Sequence, residues 1–216
     1  MNDVERLEQL IQGGYPCISI VTREEQYALE ILRQAVLGLN RCLWIWSLAG
    51  GVKEGLLAES PFIADTETPG AGLTYMASAK PGSICATLDL AEHLKCGGKA
   101  LRILRDMITQ FDKTGITVVM IDHADAVPEV IRAYARPFEI SFPDEHELLA
   151  IIRETLQRQN RNKSIEVGVT QRGLQTIVRN LRGLTRRQAA RIISDTVADD
   201  RRFDDDDINV VIASKR

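Results

Sequence analysis

The chain has 216 residues, enough for one large domain or for a core with a small second domain. Its 44% apolar content supports a real hydrophobic core, and 26% charged residues suit a solvated surface. A formal net charge of −3 argues against a general polyanion binder, the charged start Met1-Asn2-Asp3-Val4-Glu5-Arg6 is not a secretory signal, and no apolar run approaches the about 20 residues that span a bilayer.

Val4, Leu7, Leu10 and Ile11 recur at helical spacing, which predicts a helix over 3–12 ended by Gly13-Gly14. Cys17 to Thr22 read as a strand apolar enough to be buried on both faces. Thr22 with Glu25 forms a capping-box pattern for a helix running to about 37. Residues 42–47 are a second strand. Residues 49–72, rich in Gly, Pro and Thr, read as loop with a short helix near 53–59, and a weak helical pattern follows near 72–79. A third strand is predicted at 83–88, a helix at 99–112, a fourth strand at 116–121, a short helix near 127–134 and a closing strand at 138–142. Only helical patterns follow, at 145–160, 171–181, 185–199 and 205–214. The run Asp204 to Asp207 reads as the acidic N-terminus of the last helix. Cys17, Cys42, Cys85 and Cys96 form no CxxC pair and read as buried, reduced thiols of a cytoplasmic protein. His93, His123 and His146 make no metal-binding pair.

Strands alternating with helices argue for a parallel α/β sheet covered on both faces, here five-stranded, over 1–143, with an all-helical region over 144–216. The stretches YPCISIVTREEQYALEIL (15–32), ALRILRDMI (100–108), FEISFPDEHELLAII (138–152) and RGLTRRQAARII (182–193) carry a resemblance. The chain resembles the AAA+ ATPase superfamily, and more closely the degenerate N-terminal module of a bacterial and plastid AAA ATPase family of poorly known function. That resemblance implies an α/β core of the P-loop NTPase type followed by a helical lid. It also implies that an intact second ATPase module would follow where this chain ends at Arg216.

A phosphate loop reads GxxxxGK[ST] between a strand and a helix, because glycines let backbone N–H groups turn towards phosphates, Lys neutralises charge and Ser/Thr holds Mg²⁺. After the first strand this chain has Thr22-Arg23-Glu24-Glu25, with no glycine or lysine and two carboxylates. The Gly98-Lys99 pair lacks the preceding glycine and reads as a loop-to-helix junction. A Walker B motif needs Asp-Glu at a strand end, to hold Mg²⁺ and orient water. By the order that the resemblance implies, Asp89, followed by Leu90, takes that position, and Asp122, followed by His123, takes the sensor position. Neither carries Asp-Glu, and strand-end aspartates also cap turns. The resemblance places Arg132 and Arg136 where AAA+ rings reach a neighbour's nucleotide, and Arg186 or Arg187 near the lid's sensor arginine.

Three functions are expected from these patterns. The first is a non-hydrolysing assembly or regulatory module beside an intact AAA+ ATPase module or ring neighbour, with no cofactor. The second is a divergent ATPase, the only reading under which ATP with Mg²⁺ would bind. The third is a nucleic-acid module using the arginine-rich stretch from Arg172 to Arg202, against which the net charge and the lack of interleaved aromatics count. No membrane partner is expected.

Overall fold

The computed structural model describes residues 2–57, 59–198 and 200–213. The chain divides into two compact units, 1–140 and 141–216, a little before the boundary read from the sequence.

The first unit opens with α1 (Asp3–Gln12), capped by a reciprocal box between Asn2 and Glu5. It continues through β1 (Cys17–Val21), α2 (Glu25–Gly38), β2 (Leu43–Ser47), β3 (Gly51–Glu54), β4 (Phe62–Ile63), α3 (Pro69–Ala77) and β5 (Ile84–Leu88). After a single 3₁₀ turn at Ala91–His93 come α4 (Lys99–Thr109), α5 (Phe111–Thr114), β6 (Thr117–Asp122), α6 (Glu129–Arg132) and β7 (Ala135–Pro137). The strands form one sheet in the order β4-β3-β2-β5-β6-β1-β7. The five strands from β2 to β7 are parallel, as expected. The antiparallel pair β3 and β4, hydrogen-bonded on to β2, extends that sheet to seven strands.

Alternation along each parallel strand explains why both faces are covered. Ile18, Ile20, Ile45, Ile84, Ala86, Val119 and Ile121 face Leu7 and Ile11 of α1 and Ile31, Leu32 and Val36 of α2. Their neighbours Cys17, Trp46, Cys85, Val118 and Met120 face Leu73 and Met76 of α3 and Leu101, Leu104 and Ile108 of α4.

Several expectations need correction. Residues 51–54, expected as loop and helix, are a strand: Val52 is buried and its N–H donates to Thr66 Oγ1 at 2.8 Å. Ala58, within that expected helix, lies outside the described residues. The closing strand is Ala135–Pro137, in register with Cys17 to Ser19. The expected stretch 138–142 contributes one further bond, from Phe138 N–H to Ser19 O, and buries Phe138. Thr22 does not cap α2 as a box; its Oγ1 accepts from Glu24 N–H, and the helix starts at Glu25. Gly98 stands at the N-cap of α4, as the loop-to-helix reading requires. Cys17 and Cys85 are buried, but Cys42 and Cys96 are exposed; all four are free thiols.

The second unit holds α7 (Glu145–Asn162), β8 (Glu166–Val167), α8 (Gln171–Leu181), α9 (Arg186–Thr196), β9 (Arg202–Phe203) and α10 (Asp207–Ala213). Asp144 with Glu147 caps α7, and Thr185 with Gln188 caps α9. Leu148, Ile152, Ile177, Leu181, Ile193 and Phe203 form its core. The two-residue parallel ladder β8–β9 has no periodicity from which to read it. The acidic run is built into turns: Asp205 accepts from the N–H and hydroxyl of Thr170, the N-cap of α8, and Asp207 Oδ2 accepts from Asp204 N–H. The expected helix ends at 199 and 214 lie outside the described residues. Among the described residues no helix is long and apolar enough to cross a membrane.

Candidate functional site

Parallel α/β sheets present ligand sites at the carboxyl ends of their strands. Here β1, β6 and β5 lie side by side, and their ends bring together Thr22, Asp122 and Asp89. Thr22 N–H donates to Asp122 O at 2.9 Å, continuing the β1–β6 ladder by one bond. Only Thr22, Arg23 and Glu24 separate β1 from α2, and the Glu24 N–H is taken by Thr22 Oγ1 at 3.0 Å.

The two aspartates brace each other's loops. Asp122 closes the fully buried strand β6 and is itself only 2% exposed. Its Oδ1 accepts from Ala91 N–H, on the loop after β5, at 2.9 Å. Its Oδ2 is buried with no hydrogen-bond partner among the described residues. Burial, with smaller effects from the neighbouring Asp89 and Glu92, pushes the carboxyl up to about 6, despite the opposing Ala91 bond. Asp89 turns the chain out of β5 with φ +51°, a left-handed conformation that Asp tolerates. Its Oδ1 accepts from His123 N–H at 3.0 Å and lies 2.7 Å from His123 Nδ1. Partial burial raises the Asp89 pKa, but the His123 bonds and charge outweigh it and the net shift is downward. His123 is exposed, and its pKa is raised by the Asp89 bond and by Asp89 and Glu92. Its Nε2 stands 3.4 Å from Glu92 Oε1. Glu92 was missed in the sequence; its only signal is its place three residues after Asp89. Among the described residues no group of His, Cys, Asp and Glu is arranged to hold a metal ion.

The arginines are dispersed. Arg132 is held by Asp125 through paired bonds of 3.0 and 2.9 Å and also donates to Val127 O. Arg136 sits on edge strand β7, in register with Ile18, and is exposed with its guanidinium 5.9 Å from the Tyr15 ring centroid. Arg186 and Arg187 open α9 in the second unit. Arg186 is largely buried, donating to Ser141 O at 2.8 Å and to both Glu147 carboxylate oxygens at 3.1 and 2.9 Å. Arg187 is exposed.

The fold has known counterparts. Similar solved structures include the FIGL-1 AAA domain, at TM-score 0.64 and 10% identity over 99% of this chain and 80% of that one. The FIGL-1 AAA domain in complex with ADP gives TM-score 0.60 and 11% identity over 94% and 72%. The Thermotoga maritima RuvB Holliday junction branch migration motor gives TM-score 0.57 and 15% identity over 98% and 67%. At such identities the likeness is one of fold. A search of curated proteins found no match. Residues 146–216 match the SpoVK-like AAA ATPase second domain. Residues 3–140 match the SpoVK-like AAA ATPase N-terminal domain, and the chain belongs to that family of the AAA+ ATPase superfamily.

Proposed function

We propose that this AAA+ ATPase-like module does not hydrolyse ATP and acts by assembly, beside an intact AAA+ ATPase module or ring neighbour, in the cytoplasm. The observation that carries this reading is the turn between β1 and α2. A triphosphate with Mg²⁺ needs a ring of free backbone N–H groups, a lysine and a hydroxyl on the metal. The residues here do not fit that group. The turn is only Thr22, Arg23 and Glu24, and two of its N–H groups are committed to Asp122 O and Thr22 Oγ1. The carboxylates of Glu24 and Glu25 stand at the N-terminal end of α2, where an anion would otherwise be attracted.

In this reading Asp89 and Asp122 serve as loop braces, and Arg132 and Arg186 as local ties. Arg136, exposed at the sheet edge, is the arginine best placed to meet a neighbour. Phosphate release from ATP by the purified chain tests the proposal. No release above a protein-free blank is expected, whereas sustained turnover that is lost in Asp122→Ala would overturn it.

One observation favours the second reading, a divergent ATP site. Asp122 presents a buried, unpartnered oxygen at the strand ends, where AAA+ chemistry would place a carboxylate.

A further inference from the structure

A groove of about 380 Å³ runs along the second unit between α7 and α8. Glu145, Leu149 and Arg153 of α7 follow one another at four-residue spacing, so they form a single ridge about 12 Å long. Across it stand Leu174, Gln175, Val178 and Arg179 of α8. The partly exposed Leu149 and Leu174, with buried Val178, make an apolar floor. The ion pair between Arg182, just after α8, and Glu145, at the start of α7, sets the end of α8 beside the start of α7. Arg179 therefore stands at the Leu149 end of the floor and Arg153 at the other.

The two arginines on this groove differ from the unit's ion-paired ones. Arg182, Arg186, Arg191 and Arg202 each face a carboxylate, of Glu145, Glu147, Asp195 and Glu166. Arg153 and Arg179 are exposed and make no ion pair among the described residues. Among the described residues that line the groove, the one carboxylate, that of Glu145, is already engaged by Arg182. The groove thus offers an apolar strip with an uncompensated cation near each end.

We infer that this groove docks an acidic amphipathic segment of a partner protein. Its apolar side chains lie on Leu149, Leu174 and Val178, and its carboxylates engage Arg153 and Arg179. The inference goes beyond the proposed function, since docking here does not depend on whether the module hydrolyses ATP. Bidentate arginine–carboxylate pairs at both ends fix the segment's position along the groove more tightly than lysines would.

The test uses a phage-displayed random dodecapeptide library panned on the full chain, with counter-selection on the double variant R153E/R179E. Circular dichroism confirms that the variant is folded. The expected selection is of sequences rich in Asp and Glu around Leu, Ile or Val. A synthetic peptide of the leading sequence should bind saturably by fluorescence anisotropy, weaken as salt rises, and lose about tenfold in affinity for each arginine reversed. Selected sequences without acidic enrichment, or binding unchanged in the double variant, would overturn the inference. So would displacement of the peptide by single-stranded RNA that binds more tightly through the same two arginines. Self-association of the wild-type chain that the double variant abolishes would give the groove to a second copy, and would also overturn it.

Discussion

Asp122 is the residue whose chemistry is most unlike its ordinary state. Its folded pKa, about 6, lies above the 3.8 expected of a free carboxyl, so the folded chain binds this proton more tightly than the unfolded chain. The sign follows. Its contribution is fully present below about 3.8 and is lost as pH rises through about 6, a difference of about 3 kcal/mol at neutral pH. Asp122→Asn keeps an acceptor for Ala91 N–H and removes the buried charge. We expect it to stabilise the first unit by about 1–3 kcal/mol at pH 7.5 and to flatten the stability change between pH 4 and 6. Both tryptophans, Trp44 and Trp46, lie in that unit, so thermal melts followed by their fluorescence across a pH series check this. The surface pair of Asp89 and His123 titrates in the opposite senses, but such exposed pairs contribute little. In the second unit, Arg186→Ala removes the guanidinium that donates to the Glu147 carboxylate and the Ser141 carbonyl, and a loss of about 2 kcal/mol is expected by circular dichroism. Arg191→Ala, whose side chain is 82% exposed beside Asp195, should change stability by less than about 0.5 kcal/mol.

At the scale of elements, the antiparallel extension depends on one buried hydroxyl. Thr66 Oγ1 accepts from Val52 N–H at 2.8 Å and donates to Ile63 O at 2.6 Å, tying β3 and β4 to the turn before α3. The neighbouring Trp46 Nε1 donates to Thr66 O at 2.8 Å. Thr66→Val keeps the shape and strands the Val52 N–H, so a loss of about 1–3 kcal/mol is expected in denaturant melts of tryptophan fluorescence. Gly72→Ala should be worse. An added Cβ would stand 2.1 Å from the Trp46 ring and 3.0 Å from Thr66 O, and the ring is held by its own hydrogen bond.

The same elements show what could be read in advance. The first four parallel strands announce themselves as apolar runs because both of their faces are covered. β3 does not, since Gly51-Val52-Lys53-Glu54 has a single buried apolar side chain and its position comes from pairing with β2. The alternation Phe138, Ile140, Phe142 reads as a strand, yet β1 offers its ladder earlier, to Ala135, Arg136 and Pro137. Arginine and proline are residues that a hydrophobic pattern passes over.

At the scale of the molecule, the architecture and the residues of the candidate site point in different directions. The sheet order, the two covered faces and the helical second unit are those of an AAA+ module. The strand ends gather Thr22, Asp122 and Asp89. What could not be read beforehand was their mode of engagement, because a strand-end aspartate looks alike in sequence whether it holds a metal or a loop. Here the aspartates bond across to Ala91 and His123. In the account proposed, a phosphate-binding turn has become a short backbone-satisfied connection, and a catalytic edge has become a brace. The direct test is titration of a fluorescent ATP analogue with the purified chain, with and without Mg²⁺, alongside thermal shift. The account predicts no saturable binding and no stabilisation up to about 1 mM nucleotide, a Kd weaker than about −4 kcal/mol represents. Saturable, Mg²⁺-dependent binding that raises Tm, and that Asp122→Ala abolishes, would contradict it.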